Sequence, residues 1–428
     1  MPVFLYNIFL VLFRAGTGIA SLWNKKARQW RNGRKNIFER MKSEICMPAG
    51  KAGNPKPEII WMHCSSLGEF EQGRPVFEKI KSEYPNARLL LTFFSPSGYE
   101  IRKDYKGADW VFYLPLDSKV NAGKFFGIVN PSLVVFVKYE YWYYYLTECK
   151  KRNIPLLMVS AIFRSGQPFF NWYGNLYRKM LKCFTHFFVQ DENSKSLLQN
   201  LNITNVTVAG DTRFDRVITV VENFQPVVEI EKFCGDSKII VAGSTWPNDE
   251  KIIKELASTL PDVKIIIAPH EIHPGHLTQL KNIFPNSVFF SEFKNNPAPG
   301  GTKFKTPQIL IIDNIGMLSK LYRYATITYT GGGFDSGIHN VLEAAVYGKP
   351  VIFGPKFEKF KEAIDLIKAG AAFTVNNKED LNFCVNMLLN ENDFYNVSCE
   401  AARKYVYDKK GATEKIALYI QENRLLTK

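Results

Sequence analysis

Cysteine is scarce, and its pattern is unpaired. The seven residues, at 46, 64, 149, 183, 234, 384 and 399, are odd in number and scattered, with no CxxC pair and no Cys/His cluster at metal spacing. That excludes a disulfide-stapled scaffold and a structural zinc, and it points to reduced thiols. No segment repeats at a fixed period and none is of low complexity, so solenoids and arrays are excluded. With 46% hydrophobic and 22% charged residues, 28 Gly and 22 Pro in 428 residues, disorder, collagen and coiled coil are also excluded. What remains is a folded chain long enough for two or three compact units.

The formal net charge is +14, and residues 1–45 carry half of it, with nine Lys/Arg against two Glu. The other 383 residues carry +7 and contain no recognised nucleic-acid motif, so no nucleic-acid partner is expected. The positive cluster Lys25 to Lys35 follows an apolar stretch from Pro2 to Trp23. A secretory signal would place its basic residues first, so secretion is not expected. A membrane span needs about 20 apolar residues. Asn7, Arg14 and Thr17 interrupt this stretch, so a partly inserted helix fits as well as a full span. The cluster would face anionic lipid on the cytoplasmic side. The membrane reading is preferred to an amphipathic helix packed on the protein's own core. Residues 1–35 are then expected to be removable with little damage to the catalytic units.

From residue 58 onward, short apolar runs alternate with helical stretches, the pattern of a parallel sheet with crossover helices. Strands are expected at 59–64, 87–94, 110–115, 133–138, 155–161, 186–190 and 206–210. After a polar link at 220–236 the alternation restarts, with strands at 238–244, 263–269, 308–313, 326–331, 350–354 and 372–375. The fold class is α/β, with two Rossmann-like doubly wound domains facing a cleft and an N-terminal membrane-associated helix. The expected divisions are a basic membrane segment at 1–35, domains at 36–225 and 226–392, and helices at 393–428 that return to the first domain.

In such sheets ligands bind beyond the carboxyl ends of the strands. There, Glu69 falls in the first turn of a helix after the first strand. It is either a general base with a raised pKa or a helix-terminal acid favoured by the macrodipole. The turns SPSG (95–98) and LPLD (114–117) follow the next two strands, and residues 137–145 set Lys138 and Glu140 in an aromatic cluster. Residues 210–216 present Arg213, whose guanidinium suits a phosphate, among Asp211, Asp215 and Arg216.

In the second half, GSTW (243–246) follows the first strand, and His270 after the next is placed for a phosphate or a base. His270, His273 and His276 resemble metal ligands, but no carboxylate cluster accompanies them and Pro274 intervenes, so a metal site is disfavoured. The most specific signal is residues 328–355. A strand runs into Gly331, Gly332 and Gly333, and a helix is expected from His339 and Asn340, carrying Glu343 one turn in. Such a turn would bring a phosphate to the helix N-terminus and ribose hydroxyls to Glu343. The glycines are consecutive and the acid lies in the same helix, which argues against NAD and for a nucleotide-sugar.

These features together resemble GT-B glycosyltransferases, and more narrowly the 3-deoxy-D-manno-octulosonic acid (Kdo) transferase family. The match runs along nearly the whole chain. It comprises the basic apolar N-terminus, Ser-x-Gly-Glu at 66–69, SPSG, LPLD, Glu-x-Trp at 140–142, GDTRFD from 210, DNIGML at 313–318 and the GGG…HNVLEAA block. The resemblance implies an inverting, metal-free, single displacement that moves Kdo from CMP-Kdo to a tetraacylated lipid A precursor (lipid IVA) at the cytoplasmic face of the bacterial inner membrane. It implies Glu69 as the base, with Arg213 and, at a second such position, Lys138 as transition-state stabilisers. It also implies a CMP pocket lined by Pro269, His270, Ile315, Gly316, Met317, Asn340, Val341, Leu342 and Glu343. The family often has an acid at the place of Lys138 and an arginine at that of His270. The alternative is another GT-B enzyme with a different nucleotide-sugar donor.

Overall fold

A computed structural model of the chain describes residues 2–45, 57–295 and 307–427. Cys46 lies outside them. The six described cysteines are free.

The chain divides into two compact units, Met1–Arg216 with Lys410–Lys428, and Val217–Lys409. The boundaries thus differ from those expected at 225/226 and 392/393. Helix Asn392–Tyr407 belongs to the second unit, where Ala402 and Val406 are buried. Only the last segment joins the first unit. There, Ala412, Ile416 and Ile420 of helix Ala412–Glu422 enter the core beside Phe70 and Phe77.

The first unit holds seven parallel strands: β1 (Ile59–Cys64), β2 (Arg88–Phe93), β3 (Trp110–Tyr113), β4 (Leu133–Val137), β5 (Leu156–Ala161), β6 (His186–Val189) and β7 (Val206–Val208). Their order in the sheet is β3-β2-β1-β4-β5-β6-β7. The strands are apolar on both faces because crossover helices cover both, and a buried core lies on each side of the sheet.

The second unit repeats the design with β8 (Ile239–Thr245), β9 (Lys264–Pro269), β10 (Val288–Phe289), β11 (Ile309–Ile311), β12 (Ile327–Thr330), β13 (Val351–Phe353) and β14 (Ala372–Thr374). Here the order is β10-β11-β9-β8-β12-β13-β14, again parallel. The two-residue β10 was not expected from the sequence, because so short a strand leaves no periodicity to read.

The N-terminal helix, Pro2–Ala20, is long and apolar enough to cross a membrane by length and composition. It nevertheless packs along the first unit with one face. Tyr6 donates its hydroxyl to Asp117 at 2.6 Å, Tyr144 donates to Asn7 at 2.7 Å, and Phe13 packs edge-on against Trp30. The opposite face is open, with Phe4, Phe9, Val11 and Leu12 each more than half exposed.

Three arginines of the basic cluster are tied into the structure. Arg28 and Arg31 bond to Leu22 and Ser21, and Arg34 donates to the carbonyls of Trp30, Phe94 and Leu114 while its guanidinium lies over the Trp30 ring. Residues 1–35 are therefore not a separable anchor. Their removal would orphan two buried-side carbonyls and uncover Phe94. The truncated protein is expected to melt lower by on the order of 10 °C. Thermal unfolding of the two forms side by side checks this, and an unchanged midpoint would restore the separable-anchor reading.

Candidate functional site

In the first unit the direction of winding changes between β1 and β4, which are neighbours in the sheet. Loops leaving the carboxyl ends of two such strands diverge and open a crevice. Glu69 comes from the first turn of the helix that follows β1, and Lys138, Glu140 and Trp142 from the loop after β4.

Glu140 is buried among specific partners. Trp142 Nε1 donates to its Oε2 at 2.6 Å, and His63 Nε2 lies 2.9 Å from the same oxygen. A carboxylate only accepts, so His63 carries its proton on Nε2. Its Nδ1 lies 2.9 Å from Thr92 Oγ1 and 3.1 Å from the Thr92 carbonyl oxygen, and Thr92 Oγ1 itself receives Trp61 Nε1–H at 2.8 Å. This chain of bonds holds the Glu140 charge in place beside the crevice.

Glu69 sits in the first turn of helix Leu67–Glu83, and its Oε2 accepts the Ser66 N–H at 2.9 Å. The helix-terminal acid is thus present in the structure, and it is also a perturbed one. Burial first, and then the charge of Glu140, push its pKa up to about 7, against the opposing pull of the Ser66 and Ser65 N–H groups and of Lys138. A carboxylate so tuned can take up a proton at neutral pH. Lys138, whose cation acts on it, has a left-handed backbone (φ 65°), which is costly for a side chain with a Cβ. That strain is held at the mouth of the crevice.

Arg213 is brought to the same side. Its Nε and Nη2 donate to Asp211 Oδ2 at 2.9 and 2.8 Å. Asp211 also accepts from Gln72, one turn beyond Glu69 on the same helix. Asp215 and Arg216 have partners of their own. Asp215 accepts the backbone N–H groups of Gly411 and Thr413, capping the C-terminal helix, and Arg216 pairs with Glu71. The expected ligand turns also have structural work. Ser95 caps helix Pro96–Arg102, and Asp117 accepts from the N–H groups of Tyr144 and Tyr145 at the start of helix Tyr143–Lys151.

In the second unit the winding reverses between β8 and β12. The three glycines follow β12, and the close packing explains them. A Cβ on Gly331 would lie 2.4 Å from the Ser244 carbonyl oxygen, and one on Gly333 2.6 Å from the Gly354 nitrogen. Gly332 has φ +92° and donates its N–H to Asp249 at 2.8 Å. Asp249, fully buried, also accepts from Trp246 N at 2.9 Å and Tyr329 Oη at 2.7 Å. It thereby joins the β8 and β12 loops. The sequence reading did not single it out; an acid three residues after Trp246, at the start of helix Pro247–Thr259, is a capping signal that would have found it.

Beside this turn three rings stack. His270 lies 4.8 Å from Trp246 and 4.3 Å from His339, centroid to centroid, and Trp246 Nε1 donates to His339 Nε2 at 3.1 Å. Burial lowers the pKa of both histidines, that of His339 to about 4. His270 therefore presents a neutral ring, suited to stacking or to a hydrogen bond rather than to charge pairing. The other two histidines are elsewhere. His276 is buried against Glu250, and His273 accepts the His276 N–H. Among the described residues no three His, Cys, Asp or Glu gather as metal ligands.

The helix expected from His339 and Asn340 is a single turn, Leu342–Ala345, so Glu343 lies at its start and not one turn in. Asn340 Nδ2 donates to Glu343 at 3.0 Å. Val341 and Leu342 turn their side chains into the core and can meet a ligand only through backbone. Pro269 is likewise buried at the end of β9. Ile315 is 90% exposed, and Gly316 turns with φ +94° before Met317 in the loop after β11.

A family model described as 3-deoxy-D-manno-octulosonic-acid transferase (kdotransferase) matches residues 35–216. A 3-deoxy-D-manno-octulosonic acid transferase of Rickettsia felis is 29% identical over 359 residues, covering 81% of this chain and 75% of that one. A bifunctional glycosyltransferase/methyltransferase of Fusobacterium nucleatum is 27% identical over 383 residues, 86% of this chain, which spans only 56% of that longer relative. Among solved structures, the UDP-GlcNAc 2-epimerase of Neisseria meningitidis bound to UDP-GlcNAc aligns with a TM-score of 0.62 at 16% identity, over 85% of this chain and 100% of that one, a likeness of fold. Residues 35–216 thus match the 3-deoxy-D-manno-octulosonic-acid transferase model, and most of the chain is similar in sequence to transferases of that name.

Proposed function

We propose that the protein transfers Kdo from CMP-Kdo to a lipid A precursor, lipid IVA, at the cytoplasmic face of the inner membrane. The observation that carries this reading is Glu69, held at a switch-point crevice with its pKa raised to about 7 by burial and by Glu140. In the proposed step the acceptor hydroxyl oxygen forms a bond to the anomeric carbon of Kdo, and its proton passes to Glu69. The bond from that carbon to the CMP phosphate breaks, and CMP leaves with the electron pair, inverting the configuration. Arg213 and Lys138 steady the charge of the transition state. The ring stack of Trp246, His270 and His339 and the Asn340–Glu343 pair hold the nucleotide. This scheme requires no metal or other cofactor.

The family match supports Kdo transfer, and the open face of the N-terminal helix supports an acceptor met at a membrane surface. Incubation with CMP-Kdo generated in situ and lipid IVA is expected to yield a product heavier by one or more Kdo residues. CMP, but not UDP or GDP, is expected to raise the melting temperature of the full chain. Protection by UDP or GDP alone, with no Kdo product, would favour a GT-B enzyme using another donor.

A further inference from the structure

Between the N-terminal helix and the body of the first unit runs a groove of about 1370 Å³. That exceeds the roughly 300–1,000 Å³ of ordinary small-molecule sites. Its lining is of two kinds. Ile19 and Val120, each more than half exposed, contribute apolar surface in front of the buried Leu10, Trp30 and Ile37, and five cations, including Arg14, Lys35 and Lys119, face two carboxylates.

The cations divide by their engagements. Arg31 is bonded to Ser21 and Arg34 to backbone carbonyls, whereas among the described residues no hydrogen bond or ion pair engages the side chains of Arg14, Lys35 or Lys119. Of the carboxylates, Asp117 is occupied by Tyr6, Tyr144 and Tyr145, which leaves Glu39. A small polar anion would leave the apolar lining wet, and a hydrocarbon would leave three cations without a counter-charge. An occupant with an anionic head and acyl chains satisfies both. One wall of the groove is the helix whose far face is bare and apolar, so an occupant shares the headgroup layer that this face would enter.

We infer that the groove holds a resident anionic phospholipid of the bilayer, its phosphate met by Arg14, Lys35 and Lys119 and its chains lying against Ile19 and Val120. This rests on the membrane-surface part of the proposed function. The lipid is distinct from the glycolipid acceptor and clamps the helix to the domain.

The test is native mass spectrometry of the full chain released from nanodiscs of phosphatidylcholine with or without phosphatidylglycerol. The wild type is expected to retain one phosphatidylglycerol and no phosphatidylcholine. Arg14→Gln with Lys119→Gln is expected to lower that retention tenfold or more, with Kdo transfer kept. Lys25→Gln with Lys26→Gln, on the exposed cluster, is expected to weaken vesicle binding and leave the retained lipid in place. Equal retention of both lipids, or unchanged retention in the Arg14/Lys119 variant, would overturn the inference while leaving the membrane reading intact. So would displacement by inorganic phosphate alone, which would mark a simple anion site, or by stoichiometric lipid IVA, which would mark an acceptor subsite. Failure of the wild type to bind any vesicle would remove the membrane reading and the inference with it.

Discussion

Glu69→Gln is expected to lower Kdo transfer by about 10²–10⁴-fold, the usual worth of a general base, with CMP binding unchanged. The substitution isolates the proton transfer. Gln keeps a side-chain oxygen that can accept the Ser66 N–H, so the helix start is preserved and loss of activity cannot be assigned to a lost cap.

The wild-type pH profile should carry the same signature. Glu69 must be ionised to accept the hydroxyl proton, and its pKa stands at about 7, so kcat/KM is expected to fall about tenfold per pH unit below that value. Glu140→Gln removes the second cause of the shift and is expected to move this limb to lower pH. Stability runs the other way. The folded pKa is raised above the ordinary 4.5, so folding binds this proton more tightly, and the cost of the charge sets in as pH rises from 4.5 to about 7. The Gln variant, free of that cost, is expected to gain melting temperature relative to wild type between pH 5 and pH 8. Undiminished turnover in the Gln variant would reduce Glu69 to a helix-terminal acid.

Asp249→Ala is expected to weaken CMP binding about tenfold to a hundredfold and to lower stability by several kcal/mol, about 1–3 for each buried donor left without a partner. Three donors depend on this one carboxylate: the Gly332 and Trp246 N–H groups and the Tyr329 hydroxyl. The first fixes the glycine turn and the second the ring that stacks on His270, so both walls of the proposed nucleotide site loosen together. Asp249→Asn is the informative companion. Its oxygen can face both N–H groups while its amide donates to the Tyr329 oxygen, so most of the affinity should return. Isothermal titration with CMP on both variants, after melting curves confirm folding, checks this. A folded Ala variant with wild-type affinity would detach the glycine turn from nucleotide binding.

How far such features could be foreseen depended on how local they are. Runs such as Ile59–Cys64 and Leu133–Val137 are apolar enough to read directly as buried strands, and the restart after residue 236 marks the second sheet. Glu69 was legible because strand, small residues and helix follow one another within ten positions. The three glycines were legible as a close approach, and the reason for them, the Ser244 carbonyl and the Gly354 backbone, was not.

Periodicity also could not report how long the helix at Glu343 would be, since the next strand follows closely and leaves room for one turn. Nor could it show that the apolar N-terminal stretch would divide its faces between protein and solvent. Both alternatives raised by its composition are partly realised, because Tyr6, Asn7 and Phe13 find partners more than ten residues away while Phe4, Phe9 and Leu12 stay more than half exposed.

What the amino-acid order determined unaided was the alternation of strands and helices and the family resemblance carried by its motifs. The charge environment of Glu69 was decided only in three dimensions. His63 meets Glu140 across 77 positions because β1 and β4 lie side by side, and that adjacency comes from the order of strands in the sheet, which no local pattern of residues encodes.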